Sequence, residues 1–180
     1  MLDALRMELA PWYLQIKFLH IIFMATWVMS TSVAYTWYAQ AAWLAWQRNP
    51  NDPEIKRRRD WAFEQFDKGA SLEHIAFPLL LLTGLLMYWL AGWNLDMHWL
   101  AAKLTIVVLI FLPMEIFDYW LSHFGGSKRQ YRLKGDSERY ESLMSLHWWF
   151  FRVTTPLVIV FIPLIIYLAV TKPVLAWWPF

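Results

Sequence analysis

The residues able to do chemistry in this sequence are titratable side chains set inside long apolar runs: His20, His74, Lys103, Glu115, Asp118, His123 and His147. A charge held in hydrocarbon costs about 2.5–3.5 kcal/mol on insertion scales, so each such residue needs a reason to be there. At 100° per residue on a helix, Trp27, Thr31 and Tyr38 fall within about 20° of His20. One imidazole with aromatic and hydroxyl neighbours suits a flat apolar ring with acid tails, such as haem or porphyrin. A hydrogen-bonded structural histidine is the competing reading. Lys103 suits a propionate or an anionic substrate as counter-charge, while a lysine near a helix end can also snorkel to the interface.

A second group gathers near the opposite ends of the same runs. Glu115 and Asp118 are three residues apart and share a helix face. Together with His74 and His147 on other helices they form a candidate divalent-metal site. The Glu-x-x-His spacing of di-iron bundles is missing. His74 and His147 are equally placed to clamp one haem iron. The plainer alternative makes His123 and His147 interfacial and solvated, with the acids paired to Arg152 or Arg139. Other chemistries lack their motifs: there is no Gly-rich phosphate loop, nucleophile elbow or His-Glu-x-x-His pattern. The absence of cysteine excludes disulfides, thiolate ligands and covalent haem attachment. A net charge of +2 gives no case for nucleic acid as a partner.

The elements that must position these residues are helices. With 59% hydrophobic residues and 14 Trp, a chain this short has more apolar surface than a soluble core can bury, which makes the lipid bilayer its expected partner. Four windows, about 13–43, 75–93, 99–122 and 148–170, reach the roughly 20 residues that a membrane-crossing helix needs. Isolated strands would leave backbone groups unpaired in lipid. The expected fold is therefore all-α, a single polytopic domain over 1–180 with a four-transmembrane-helix bundle and short interfacial helices. Trp12, Tyr13, Trp93, Trp99, Trp148, Trp149, Trp177 and Trp178 mark the window ends as interfacial anchors.

Basic residues crowd the connections 44–74 and 123–147, and the turn Gly92 to His98 has none. By the positive-inside rule those two loops are cytoplasmic and both termini lie outside, periplasmic in a bacterial inner membrane. The run Lys56 to Arg59 is either a contact for anionic lipid or a solvated loop that fixes topology. Asp52 with Pro53 is expected to open a helix running to about Asp67. Asp3 is expected to cap a short helix over Met1 to Leu9, Gly125 and Gly126 to end the third span, and Asp136 or Ser137 to cap a helix leading into the fourth. Pro78, Pro113, Pro156 and Pro163 fall inside spans, where kinks are expected. No cleavable signal peptide is evident.

Four local patterns, taken in order, resemble HemJ-type protoporphyrinogen IX oxidases, with a CopD-like four-helix membrane bundle as the shared frame. They are Ile16-Lys17-Phe18-Leu19-His20-Ile21-Ile22 with Trp27; Phe77-Pro78 followed by Thr83-Gly84-Leu85; Trp99-Leu100-Ala101-Ala102-Lys103-Leu104; and Phe151-Arg152 with Pro156 and Val170-Thr171-Lys172-Pro173. The resemblance implies b-type haem and porphyrin redox chemistry, with His20 and Lys103 as site residues. After Trp27 the chain departs from the family pattern: Val28 to Tyr38 stand where a Gly-rich stretch, a Tyr-x-Pro-Arg segment and a further His are usual. The functions to separate are a haem-b oxidoreductase or electron-transfer protein, an accessory or assembly subunit of a larger membrane complex or homo-oligomer, and a metal-handling protein using the His and acid group.

Overall fold

The computed structural model describes residues 1–124 and 128–174, leaving aside the side chains of Leu2, residues 31–34 and Thr36. Every regular element among them is helical. In chain order these are α1 (Leu2–Leu9), α2 (Tyr13–Ala34), α3 (Gln40–Arg48), α4 (Pro53–Ala91), α5 (His98–Ile106), α6 (Leu112–Tyr119), α7 (Lys128–Leu133) and α8 (Ser137–Thr171). A 3-10 turn with Pro11 joins α1 to α2, and π turns at Tyr35–Ala39, Val107–Phe111 and Trp120–Phe124 interrupt the first and third helical rods. Four helical stretches are long and apolar enough to cross a membrane.

Capping decides where the long helices begin and end. Asp52 Oδ1 accepts from the backbone N–H of Glu54 at 2.8 Å and of Ile55 at 3.2 Å, with Pro53 in the first turn, as the sequence predicts. Asp136 caps α8 by accepting from the Arg139 N–H at 3.0 Å. Asp3, by contrast, makes no cap: it lies in the first turn of α1, behind Met1. The separate helix expected to end near Asp67 runs unbroken into the second apolar window. Between Asp67 and Ile75 only Gly69 opposes a helix, and a lone glycine costs about 1 kcal/mol against alanine, too little to stop it. At 1.5 Å per residue α4 is about 58 Å long, almost twice a hydrocarbon core. It closes at Gly92, whose φ of 64° lies in the left-handed region that favours glycine.

Proline is accommodated in two ways. α4 and α8 continue through Pro78, Pro156 and Pro163. Pro113 follows directly on the π turn Val107–Phe111, where the widened backbone relieves the clash of a proline ring with the preceding turn. Gly125, Gly126, Trp177 and Trp178 lie outside the described residues.

α2 packs along α4, α5 against α8, and α3 and α7 brace the long helices at the end that carries the basic connections. The core forms three layers: Ile16, Met87 and Leu90 near the chain ends; Trp27, Phe77, Ile106 and Phe111 in the middle; and Tyr35, Trp43, Phe63, Phe66, Met144 and Phe151 at the basic end. Only 6% of the most apolar window of α8 is buried, against 39% for α4, so α8 turns most of its apolar surface outward.

Candidate functional site

Asp118 is the centre of the most connected polar group in the bundle. Its Oδ2 lies 3.1 Å from His74 Nε2 on α4, and its Oδ1 lies 3.5 Å from His147 Nε2 on α8. His74 Nδ1 meets His123 Nε2 at 2.8 Å, and His123, in the π turn after α6, is half-exposed. On the far side, His147 Nδ1 stands 3.6 Å from Asp67 Oδ1. Asp67 holds the buried Lys128 ammonium at 2.6 and 2.9 Å. The chain of groups is thus His123, His74, Asp118, His147, Asp67, Lys128, running from partial exposure through the interior.

Packing explains why the groups meet. Asp67 and His74 are seven residues apart, about 20° on a helix, so α4 presents both on one face. The rings of Phe63, Phe66 and Phe151 surround His147 with centroids at 5.9, 5.4 and 4.3 Å. His147 is fully buried, and neither ring nitrogen has a hydrogen bond of ordinary length. Contacts of 3.5–3.6 Å between polar atoms are just longer than an ordinary hydrogen bond, so a movement of a few tenths of an ångström closes them.

One turn along α6, Glu115 accepts from Trp27 Nε1 at 2.8 Å, and the Glu73 carboxyl faces it within hydrogen-bonding reach. A bond between two carboxyls requires a proton on one of them. Glu73, Glu115 and Asp118 line a cavity of about 170 Å³ shared with Trp27, Thr154 and Thr155. At roughly 30 Å³ per molecule this is room for a few waters, below the roughly 300–1,000 Å³ of a drug-sized ligand pocket.

The residues singled out in the sequence divide into separate places. His74, His147, Glu115 and Asp118 come together. His20 does not join them: its Nδ1 lies 3.1 Å from the Leu80 carbonyl and 3.1 Å from Thr83 Oγ1. Gly84 makes this approach possible, because a Cβ there would stand 3.1 Å from His20 Cε1. Lys103 is half-buried within electrostatic reach of His20, and it has no ion pair among the described residues. Trp27, expected beside a ring on the His20 face, donates to Glu115 instead and packs edge-on against Phe111 at 5.1 Å. Tyr38 is 59% exposed, because the π turn at Tyr35–Ala39 changes the helical register. The Thr31 side chain lies outside the described residues.

These geometries test the ligand readings. His74 and His147 aim their Nε2 atoms at opposite oxygens of one carboxylate, so an iron between them would have to displace Asp118. With so small a cavity beside them, this pair does not fit a haem. At His20 the ring orientation does fit. A carbonyl only accepts, so Nδ1 carries the proton and Nε2 keeps the lone pair that an iron would use. Among the described residues, no group of three or more His, Cys, Asp or Glu is disposed to hold a metal ion. Glu115 and Asp118 engage Trp27 and the two imidazoles rather than Arg152 or Arg139, whose guanidinium groups lie over Trp148 and Tyr131.

Sequence reasoning missed Glu73, Asp67 and Lys128. The seven-residue spacing of Asp67 from His74 was the available signal. Lys128 counted there only as a topology-setting charge, and its burial depends on how α7 folds back over α4. Comparison with family models, curated proteins and solved structures gave no match for this chain.

Proposed function

We propose that this chain is a multi-pass protein of the bacterial inner membrane, with both termini periplasmic, that exchanges protons between the buried carboxyls lining its interhelical cleft and the cytoplasmic face. The concentration of Lys and Arg in the connections 44–74 and 123–147 supports the orientation. The observation that carries the function is the Asp118 carboxylate bracketed by the imidazoles of His74 and His147. Intramembrane Asp, Glu and His chains are the side chains from which proton relays are built. Imidazole suits the task because it can accept a proton on one nitrogen and release it from the other. Half-exposed His123 is the entry, His74 and Asp118 are the carriers, and Glu115 with Glu73 is the buried terminus. His147, Asp67 and Lys128 form a side branch that holds Asp118 in place. The path ends about 25 Å along the third helical rod from His98, at 1.5 Å per residue, so it serves the cavity rather than crossing the bilayer.

Infrared difference spectroscopy on the purified protein tests this. After a step in bulk pH, a buried carboxyl band that is lost in Glu115→Gln should respond promptly in the wild type. In Asp118→Asn it should respond about tenfold more slowly, the effect of 1.4 kcal/mol on a barrier. Unchanged kinetics in Asp118→Asn would overturn the assignment, as would a carboxyl band that Glu115→Gln leaves intact.

A second reading rests on His20. Its Nδ1 contact to Leu80 leaves Nε2 without a hydrogen bond among the described residues, and Lys103 is close by, an arrangement suited to one b-type haem with a propionate near Lys103, as the HemJ-type resemblance implies. Bound there, a haem would supply one-electron redox chemistry. A Soret band that shifts in His20→Ala supports this reading. A colourless protein from haem-replete cells counts against it and leaves the proton relay untouched.

A further inference from the structure

The carboxyls at the end of the relay line a cleft whose other walls are largely apolar: Trp27 on α2, Met114 on α6, and Val158, Ile159 and Ile162 on α8. The cleft is half-open. Its mouth lies on the outward face of α8, where Ile159 is 66% exposed. Depth decides what that mouth meets. Tyr13, Ala91, His98 and Thr171 mark the ends of the four rods nearer the chain termini. Counted from them at 1.5 Å per residue, Trp27, Glu73, Glu115 and Thr155 all lie about 21–27 Å in. Ile159 and Ile162 lie about 14–18 Å in by the same count. A hydrocarbon core of about 30 Å encloses every one of them, so in a bilayer the cleft opens to acyl chains and not to water.

Size and polarity narrow the occupant. A volume of about 170 Å³ is too small for a fused-ring cofactor, but an apolar cavity of about 150 Å³ is enough to hold benzene. The cleft therefore admits one six-membered ring, with a tail left outside among the lipids. Its polar side offers protons at two places. One is the proton that the facing Glu73 and Glu115 carboxyls share. The other belongs to Tyr35 and Thr155, whose hydroxyls are within hydrogen-bonding reach of each other. A bond between two hydroxyls uses one of their two protons and leaves the second to donate. Thr154, next to them, is spent on the Phe150 carbonyl at 2.9 Å. An acyl chain in the cleft would meet none of these polar groups, whereas a ring bearing two carbonyl oxygens brings an acceptor for each donor.

We infer that the cleft holds the head of a lipid-soluble quinone with a single six-membered ring, as the partner with which the proton relay proposed above exchanges protons. The quinone form accepts from the carboxyl and hydroxyl protons. The hydroxyls of the quinol form donate to the carboxyl oxygens of the same wall, Asp118 Oδ1 among them, which has no hydrogen bond of ordinary length. The tail leaves past Ile159 into the bilayer.

The test uses the full chain in nanodiscs free of quinone, titrated with decylubiquinone labelled with ¹³C at its carbonyls. One molecule per chain should bind saturably, above partition into protein-free nanodiscs, and hydrogen bonding should lower the frequency of its infrared carbonyl band. Thr155→Val keeps the side-chain shape and removes a hydroxyl, so it should weaken binding about tenfold and reverse part of the band shift. Val158→Phe fills the ring space and should abolish binding with every polar group in place. Uptake no greater than in protein-free nanodiscs overturns the proposal, as does binding that neither variant changes. Equal competition by palmitate would make the cleft an acyl-chain slot, and equal affinity for a naphthoquinone with the same tail would overturn the one-ring site. Circular dichroism on each variant separates lost binding from lost fold. Binding is read without proton transfer, so its failure leaves the infrared test of the relay standing, and a failed relay with quinone still bound overturns the relay and not the site.

Discussion

The two ends of the bundle treat charge in opposite ways. At the end carrying the basic connections, buried ionic groups have partners: Lys128 with Asp67, Arg59 with Asp60 and Glu141, Glu64 with Arg132, and Asp118 with two imidazoles. At the end carrying the chain termini, Lys103 has no ion pair among the described residues, and what fixes His20 there is a backbone carbonyl and one hydroxyl. A paired charge is an architectural commitment, since removing either partner strands the other. An unpaired one holds little together and is free to meet something that comes and goes. On this comparison, loss of fold should follow substitutions at the basic end, while loss of a bound group should follow substitutions at the other.

The sharpest way to break that contrast is Lys128→Ala. It leaves Asp67 buried beside His147 without its cation, and breaking one side of a buried pair costs about 3–5 kcal/mol. Thermal or denaturant unfolding in micelles should show the full loss. Lys128→Met combined with Asp67→Leu should recover most of it, because neither charge is then stranded. A single variant as stable as the wild type would mean that water already reaches this pair and that the basic end is no tighter than the other.

Trp27→Phe comes next. The ring volume is largely kept, but Glu115 Oε1 loses its indole donor inside the cavity, at about 1–3 kcal/mol for a buried group left unsatisfied. The infrared band assigned to Glu115 should shift at the same time. A stability loss without any shift would make Trp27 a packing residue alone.

The four long helices were legible in composition and apolar length, and Asp52, Pro53 and Asp136 announced their caps because capping is a local property of a few residues. The continuity of α4 was not, since a basic amphipathic stretch and an apolar one look like two elements although nothing between them stops a helix. The π turns were invisible, and they matter: the turn at Tyr35–Ala39 takes Tyr38 off the His20 face. At the site, the meeting of Glu115 and Asp118 follows from three-residue spacing. That His74 and His147 both face Asp118 depends on how three helices pack, which no single periodicity encodes. For His74 and His147 the sequence leaves iron or metal ligation open beside a plain structural or interfacial role, and among the described residues both rings face the Asp118 carboxylate.

Asp52→Ala probes a local effect at the basic end. The capping oxygen serves the N–H groups of Glu54 and Ile55, and its loss costs about 1 kcal/mol. Hydrogen exchange should quicken over the first turns of α4 and stay unchanged past Phe66, where burial between α3 and α8 takes over. Faster exchange reaching His74 would show that the relay depends on the helix start.

The smallest stability effect is expected at Lys103, and it bears directly on the contrast between the ends. Lys103→Met removes an ammonium that has no ion pair among the described residues and replaces its stem with a thioether of similar length. No partner is stranded, and a half-buried charge is no longer desolvated, so stability should stay level or rise by up to about 1 kcal/mol. If the protein binds haem at His20, the same substitution should alter the haem's reduction potential or retention while leaving the unfolding midpoint in place. A large drop in stability would instead reveal a partner for Lys103 in the folded protein, and the terminal end of the bundle would then be built on the same principle as the basic end.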